Sequence, residues 1–223
     1  MPGMIGMALG DQYRFSEFIP TILGLERPND TVFMPAYGHS VAINWNTIAK
    51  QFLEIPHMEW LLLLEDDHIP PPDVIAKLLS RNVDIVSALY LQRRIPFPPI
   101  MFDKVDEDGK IHHRMLKKGE EGLVEVEACG GGCLMIRRRV LERMTFPYWY
   151  YGDCYMKDST NHDVNFSRKA RAAGFKIYVD LDVPIFHLCV VPVVPFRDAE
   201  GNWHTRLIHG EEQIITVGAC EHE

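Results

Sequence analysis

The chain has 223 residues, 47% hydrophobic and 24% charged, enough for one α/β domain whose core needs neither disulfides nor a structural metal. Its formal net charge of -8 argues against the phosphate backbone of nucleic acid as the main partner and gives no reason to expect an anionic membrane surface, since both attract basic proteins. The five scattered cysteines, Cys129, Cys133, Cys154, Cys189 and Cys220, make no disulfide framework and read as reduced thiols of a cytoplasmic protein. No signal peptide is evident, and the longest apolar run, Trp60 to Leu64, is too short to span a bilayer.

Taken in chain order, Met4 to Leu9 predicts a short strand, and Phe15 to Leu25 a helix. Ser40 to Leu53 carries Val41, Trp45, Ile48, Ala49 and Phe52 at helical spacing. The continuous apolar run Trp60 to Leu64 predicts a strand buried on both faces of a mostly parallel sheet, ended by Pro70, Pro71 and Pro72. Val74, Ile75, Leu78 and Leu79 mark an amphipathic helix, and Asp84 to Leu91 a further strand. The proline-rich stretch 93–119 reads as an excursion from the core. Leu123 to Glu127 alternates as a strand, Gly130 to Gly132 follow, Cys133 to Ile136 resumes apolar character, and Arg137 to Met144 is a short basic helix. Asp163 to Ala173 predicts a helix stopped by Gly174, and Phe175 to Asp180 alternates as a strand. Alternation of this kind implies an α/β/α sandwich around a mostly parallel sheet. Neither a repeat nor a low-complexity linker divides the chain, so a single domain over 1–223 is expected, with a polar tail from about residue 196.

Glu65, Asp66 and Asp67 stand where the buried strand emerges, and in open α/β sheets ligands bind at the carboxyl ends of strands. Adjacent carboxylates repel unless a cation compensates, and hard divalent cations take carboxylate and phosphate oxygens. Position and charge agree on a metal–phosphate site; a solvated acidic turn is the plainer reading of the same residues.

The run LLLLEDDHIPPPDVIAKLL resembles the DxD segment of GT-A glycosyltransferases, in which an apolar strand ends in acids and a proline-containing loop and helix follow. The resemblance implies a GT-A (Rossmann-like) fold and a sugar transferred from a nucleotide-diphosphate donor to an acceptor hydroxyl. It makes Asp67 a metal ligand, sets Glu65 toward the ribose or donor sugar, and gives Asp66 the support of the loop. The run STNHDVNFSRKARAAGFKIYVDLDVPIFH resembles the pattern in which a Glu-Asp pair opens a helix and a following strand ends in His. On that match Asp163 is the general base or an acceptor-binding carboxylate, and His187 a further metal ligand; His162 stands where the family has Glu. Imidazole suits Mn²⁺ better than Mg²⁺, so a site of Asp67, His187 and two diphosphate oxygens leans toward Mn²⁺. Taken without the resemblance, the favoured readings are the plain ones, Asp163 as a helix N-cap and His187 as a buried histidine bonded to backbone.

EACGGGCLMI resembles the small-residue loop of the same family, and Gly131 and Gly132 are expected to let the backbone approach the donor sugar. Arg93 and Arg94 follow a strand; a solvated pair is their plainer reading, and as a site residue Arg94 is assigned to the donor diphosphate. GHSVAINWNTIAK is similar to a family segment written with Arg-Asn; here Trp45 replaces the Arg and Asn46 matches. Tyr148, Trp149, Tyr150 and Tyr151 are expected to form an aromatic face for an acceptor sugar, beside a flap over YYGDCYMKDST, with core residues as the plainer reading of the same aromatics. Cys129 and Cys133 read as inert small residues, and His204 and His209 fit no site pattern. Two other function classes stay open: a metal-dependent phosphoesterase built on Glu65, Asp66, Asp67, His68 and His187, and a non-catalytic nucleotide-sugar-binding module, which the His162 departure favours.

Overall fold

The computed structural model describes residues 1–10, 15–94, 97–106, 110–152, 161–190, 193–200, 203–209 and 211–216. In chain order the elements are β1 (Gly3–Ala8), α1 (Phe18–Gly24), β2 (Thr31–Ala36), α2 (Val41–Glu54), β3 (Trp60–Glu65), β4 (His68–Ile69), α3 (Val74–Ser80) and β5 (Ile85–Leu89). Then come β6 (Met101–Val105), β7 (Ile111–His113), β8 (Leu123–Val126), β9 (Ala128–Cys129), β10 (Cys133–Arg137) and α4 (Arg138–Arg143). The chain finishes with α5 (His162–Ala172), β11 (Ile177–Pro184), β12 (Phe186–His187), β13 (Val193–Arg197), β14 (Trp203–His209) and β15 (Glu211–Thr216).

The central sheet has seven strands in the order β2-β1-β3-β10-β5-β11-β8. Strands β2, β1 and β3 pair in parallel, as do β5 and β11, while β10 and β8 run against their neighbours. This is the mostly parallel α/β sheet expected from the sequence. Strand β3 is buried on both faces, as its unbroken apolar run requires. Leu61 and Leu63 face a layer built on Trp45, Ile48 and Phe52 of α2 and Phe166 of α5. Trp60, Leu62 and Leu64 face the opposite layer, with Phe18 of α1 and Val74, Ile75 and Leu78 of α3. Helix α5 ends before Gly174, whose φ of +91° is the left-handed geometry read from the sequence.

Four features were not read from the sequence. Strand β2 is one. The 93–119 excursion contributes β6 and β7 to a small sheet with β9, and residues beyond 192 form an antiparallel meander, β13-β14-β15, where only a polar tail was expected. The fourth is the reversed strand β10 between β3 and β5, which brings Cys133 opposite Leu64 and so sets the Gly130–Gly132 turn beside the carboxyl end of β3. Among the described residues no helix is long and apolar enough to cross a membrane.

Candidate functional site

The site forms where β1 and β3 end and α2 begins. A cavity of about 410 Å³ opens there, walled by Gly10, Ser40, Glu65, Asp66, Asp67 and Tyr151. The three acids at the end of β3 diverge. Asp66 accepts a hydrogen bond from the Gly10 backbone N–H at 2.8 Å, tying the ends of β1 and β3 together. Glu65 is held by its own N–H, which donates to the Gly132 carbonyl at 3.0 Å. Burial first, then the charges of Asp163 and Asp67, push its carboxyl well above the usual range.

Asp67 turns the other way, into a group of imidazoles. Strand β4 follows at once and pairs antiparallel with β12, placing His187 directly across from His68. The two rings stack with centroids 4.2 Å apart, and the edge of Tyr90 closes on His68 at 4.5 Å. His68 Nδ1 lies 2.7 Å and His187 Nε2 3.5 Å from the Asp67 carboxylate. Burial opposes the charge of Asp67, but the side chains of His187 and His68 outweigh it and hold the carboxyl far below the usual range. Asp67, His68 and His187 each offer one ligand atom, all within 4.8 Å of one another.

Two observations show that these residues fit a cation. Asp67 Oδ1 and both ring nitrogens of His68 are buried without hydrogen-bond partners, so the 2.7 Å approach is not an aligned hydrogen bond. Ligands on one octahedral ion with bonds of about 2.1 Å would sit roughly 3 Å apart, close to the 2.7 and 3.5 Å separations of the two imidazoles from Asp67. The His187 Nδ1 is 2.8 Å from the Leu91 carbonyl, which accepts only from a protonated nitrogen; this fixes the tautomer with Nε2 as the free lone pair facing Asp67. The backbone-bonded reading of His187 and its reading as a ligand are therefore both satisfied, one by each nitrogen. From the sequence, His68 belongs only to the phosphoesterase alternative and not to the transferase's metal ligands, although its place directly after the acid run is the signal that could have put it there.

Asp163 enters from the first turn of α5. The N-cap is Asn161, whose side chain accepts from the Val164 N–H at 2.9 Å, so Asp163 is not the cap. Its Oδ1 is buried without a hydrogen-bond partner, and His162 Nε2 stands 3.3 Å away. Burial raises the Asp163 carboxyl, with the neighbouring His162 charge opposing. Of the nine partnerless buried side-chain atoms among the described residues, six belong to Asp67, His68, His162 and Asp163. Buried polar atoms are rarely left unpaired, so this concentration singles out Asp67, His68, His162 and Asp163 as the candidate site.

The glycines do different work from that expected. A side chain on Gly132 would overlap the His68 ring at 2.4 Å, and one on Gly131 would meet Asp163 Oδ1 at 2.9 Å. The space is filled by His68 and Asp163 and not left open to a sugar. Arg94 is not among the residues lining the cavity; Arg93 is, and its Nη1 lies 2.9 Å from Asp67 Oδ2. Tyr148 and Trp149 are core residues, leaving Tyr150 and Tyr151 exposed. Most of the proposed flap, 153–160, lies outside the described residues. Cys129 and Cys133 are buried free thiols, and burial pushes the Cys133 thiol up to about 12, so both are inert.

No family description matches the sequence, and no curated protein is similar to it. Solved structures are similar in fold. A197 from STIV is 16% identical, with a TM-score of 0.57 over 97% of this chain and 95% of that one. GalNAc-T7, solved with UDP, GalNAc and Mn²⁺, is 9% identical, with a TM-score of 0.58 over 85% of this chain and 44% of that one. TarS 1-349 of S. aureus in complex with UDP-GlcNAc is 11% identical, with a TM-score of 0.51 over 83% of this chain and 57% of that one. The chain thus has a GT-A-like fold and corresponds to about half the length of the two glycosyltransferase structures.

Proposed function

We propose that this chain is a metal-dependent glycosyltransferase moving a sugar from a nucleotide-diphosphate donor to an acceptor hydroxyl. The observation that carries this reading is the convergence of Asp67, His68 and His187 at the carboxyl end of a buried strand, in a fold shared with proteins crystallised with UDP or UDP-GlcNAc. Asp67, His68 and His187 would hold Mn²⁺, or Mg²⁺ less favourably, because two imidazoles suit the softer ion. The ion, when bound, supplies positive charge to the diphosphate leaving group. Glu65 and Asp66 wall the donor cavity, and Arg93 is the cation placed to meet a phosphate. Asp163 orients the acceptor hydroxyl and takes its proton; a carboxyl raised by burial is a stronger base than an exposed one. The acceptor is a glycan, protein, small molecule or modified nucleic acid carrying that hydroxyl. Buried free thiols at Cys129 and Cys133 support a cytoplasmic, reducing setting.

The phosphoesterase reading needs further ligands, and Asp67, His68 and His187 are the one group of three found among the described residues. A thermal-shift titration separates the readings. UDP at about 100 times its Kd should stabilise the chain by about 2.7 kcal/mol, roughly 5–11 °C at this size, and only with Mn²⁺ present. An equal shift with metal alone, or cleavage of a generic phosphoester, would reject the transferase.

A further inference from the structure

A second groove, of about 460 Å³, runs between α2 and the segment Phe146–Tyr151. Ser40 and Tyr151 line both this groove and the cavity at the end of β3, so the two spaces share a wall. Three aromatic side chains stand exposed along it: Phe146 at 50%, Tyr150 at 40% and Tyr151 at 51%. Exposed aromatic clusters beside a polar cleft mark a contact surface more often than chance placement.

The segment is held in place from below. The N–H groups of Tyr148 and Trp149 both donate to Asn46 Oδ1, at 2.8 and 3.2 Å, while Asn46 Nδ2 donates to the Trp149 carbonyl at 2.6 Å. Asn165 Nδ2 donates to the Tyr150 carbonyl at 2.9 Å. Two side-chain amides thus fix the backbone of three consecutive residues, and Trp149 is stacked on Phe166 at 4.5 Å. The exposed rings are presented by a rigid support, which lowers the ordering cost of binding. At one end Lys50 lies over the Phe146 ring at 4.0 Å. At the other the Tyr151 ring packs on His162, the neighbour of Asp163, with centroids 5.0 Å apart.

We propose that this groove is the acceptor site and that its occupant is a saccharide chain, lying on Phe146 and Tyr150 and led past Tyr151 to Asp163. This rests on the glycosyltransferase reading above. The chemistry of the lining selects the class. Sugar rings offer apolar faces to aromatic rings and hydroxyls to the phenols and to Lys50, and the occupant must bring a hydroxyl to Asp163. The lining has one charged side chain and otherwise neutral polar and apolar groups, which suits an uncharged polyol.

The test is direct binding to the full chain by saturation-transfer NMR and calorimetry. The probes are tri- to hexasaccharides of β-1,4-linked glucose, β-1,4-linked N-acetylglucosamine, α-1,4-linked glucose and α-1,6-linked mannose. At least one series should bind, gaining affinity from three to five units. Tyr150→Ala should weaken that binding at least tenfold. Thr47→Trp, at an exposed position of α2, fills the groove from the other side and should abolish it while preserving the wild-type circular dichroism spectrum. Binding of UDP with Mn²⁺ is measured on the same wild-type sample. UDP binding with no saccharide binding overturns the groove assignment alone, whereas loss of UDP binding rejects the transferase reading. Saccharide binding that survives Thr47→Trp also overturns the groove assignment.

Discussion

Gly132→Ala tests the architecture of the site without touching any ligand. The new methyl would lie 2.4 Å from both Cε1 and Nε2 of His68, whereas ordinary contact begins near 3.4 Å, so the ring must retreat by about 1 Å. It has nowhere free to go. One face is stacked on His187, Tyr90 closes its edge, and the Tyr90 hydroxyl is itself anchored by the Gly132 N–H at 2.9 Å. Forcing a methyl into such packing costs about 1–3 kcal/mol, roughly 2–12 °C in Tm for a chain of this size. The same displacement moves a ligand, so Mn²⁺ affinity, read by electron paramagnetic resonance, should fall about 10–100-fold. Gly24→Ala is the control: nothing lies within 4 Å of its added methyl, and both quantities should stay as in the wild type. A Gly132→Ala protein with unchanged Tm and unchanged Mn²⁺ affinity would refute the idea that this glycine exists to admit His68.

Asp67→Asn should lose metal-dependent UDP binding by more than roughly 100-fold in calorimetry, since it removes the only charged ligand; it should also lower Tm, because Arg93, His68 and His187 lie against the carboxylate and outweigh its repulsion of Glu65. Asp163→Asn should reduce transfer by about 10²-fold or more in a radiolabelled-sugar assay with UDP binding retained. Its effect on stability has a definite sign: the burial-raised carboxyl favours folding below the unfolded pKa, and that contribution is lost as pH rises through the folded value. The Asn variant should therefore melt higher than the wild type at neutral pH, with the gain fading as pH falls, and a lower Tm at pH 7 would contradict this. Asn161→Ala removes the cap of α5 and should cost about 1 kcal/mol, or roughly 2–4 °C, in calorimetry.

What could be read from the sequence follows the range of the interactions. The apolar run Trp60–Leu64 carries its own signal, because burial on both faces leaves no polar position to blur it. Gly174 is legible for the same local reason: a helix end needs a left-handed residue there. Asp67 and His187 came from motif resemblance, and their proximity of 3.5 Å depends on the short pairing of β4 with β12, which two residues per strand cannot announce. Arg93 and Arg94 are indistinguishable by composition; only the bend decides which one meets Asp67. The triple glycine was readable as a place of close approach, but what approaches is a side chain more than 60 positions upstream for Gly132, and helix α5 for Gly131. Face and core are both open to Tyr148 and Trp149 in the sequence, and the Asn46 clamp on their backbone goes with the core.

The reversed strand β10 also sets when the site can come into being. Residues that meet there come from the ends of β3 and β4, the turn before β10, the start of α5, and β12, so no contiguous stretch of the chain contains a working fragment. The Gly130–Gly132 turn reaches His68 only after β10 has slotted between β3 and β5 against the direction of both. Such long-range pairing is reached late in folding. On the proposed reading, a cation held by His68 has nothing to grip in a half-formed chain, and its stabilisation should emerge as slower unfolding, with the rate of folding hardly changed.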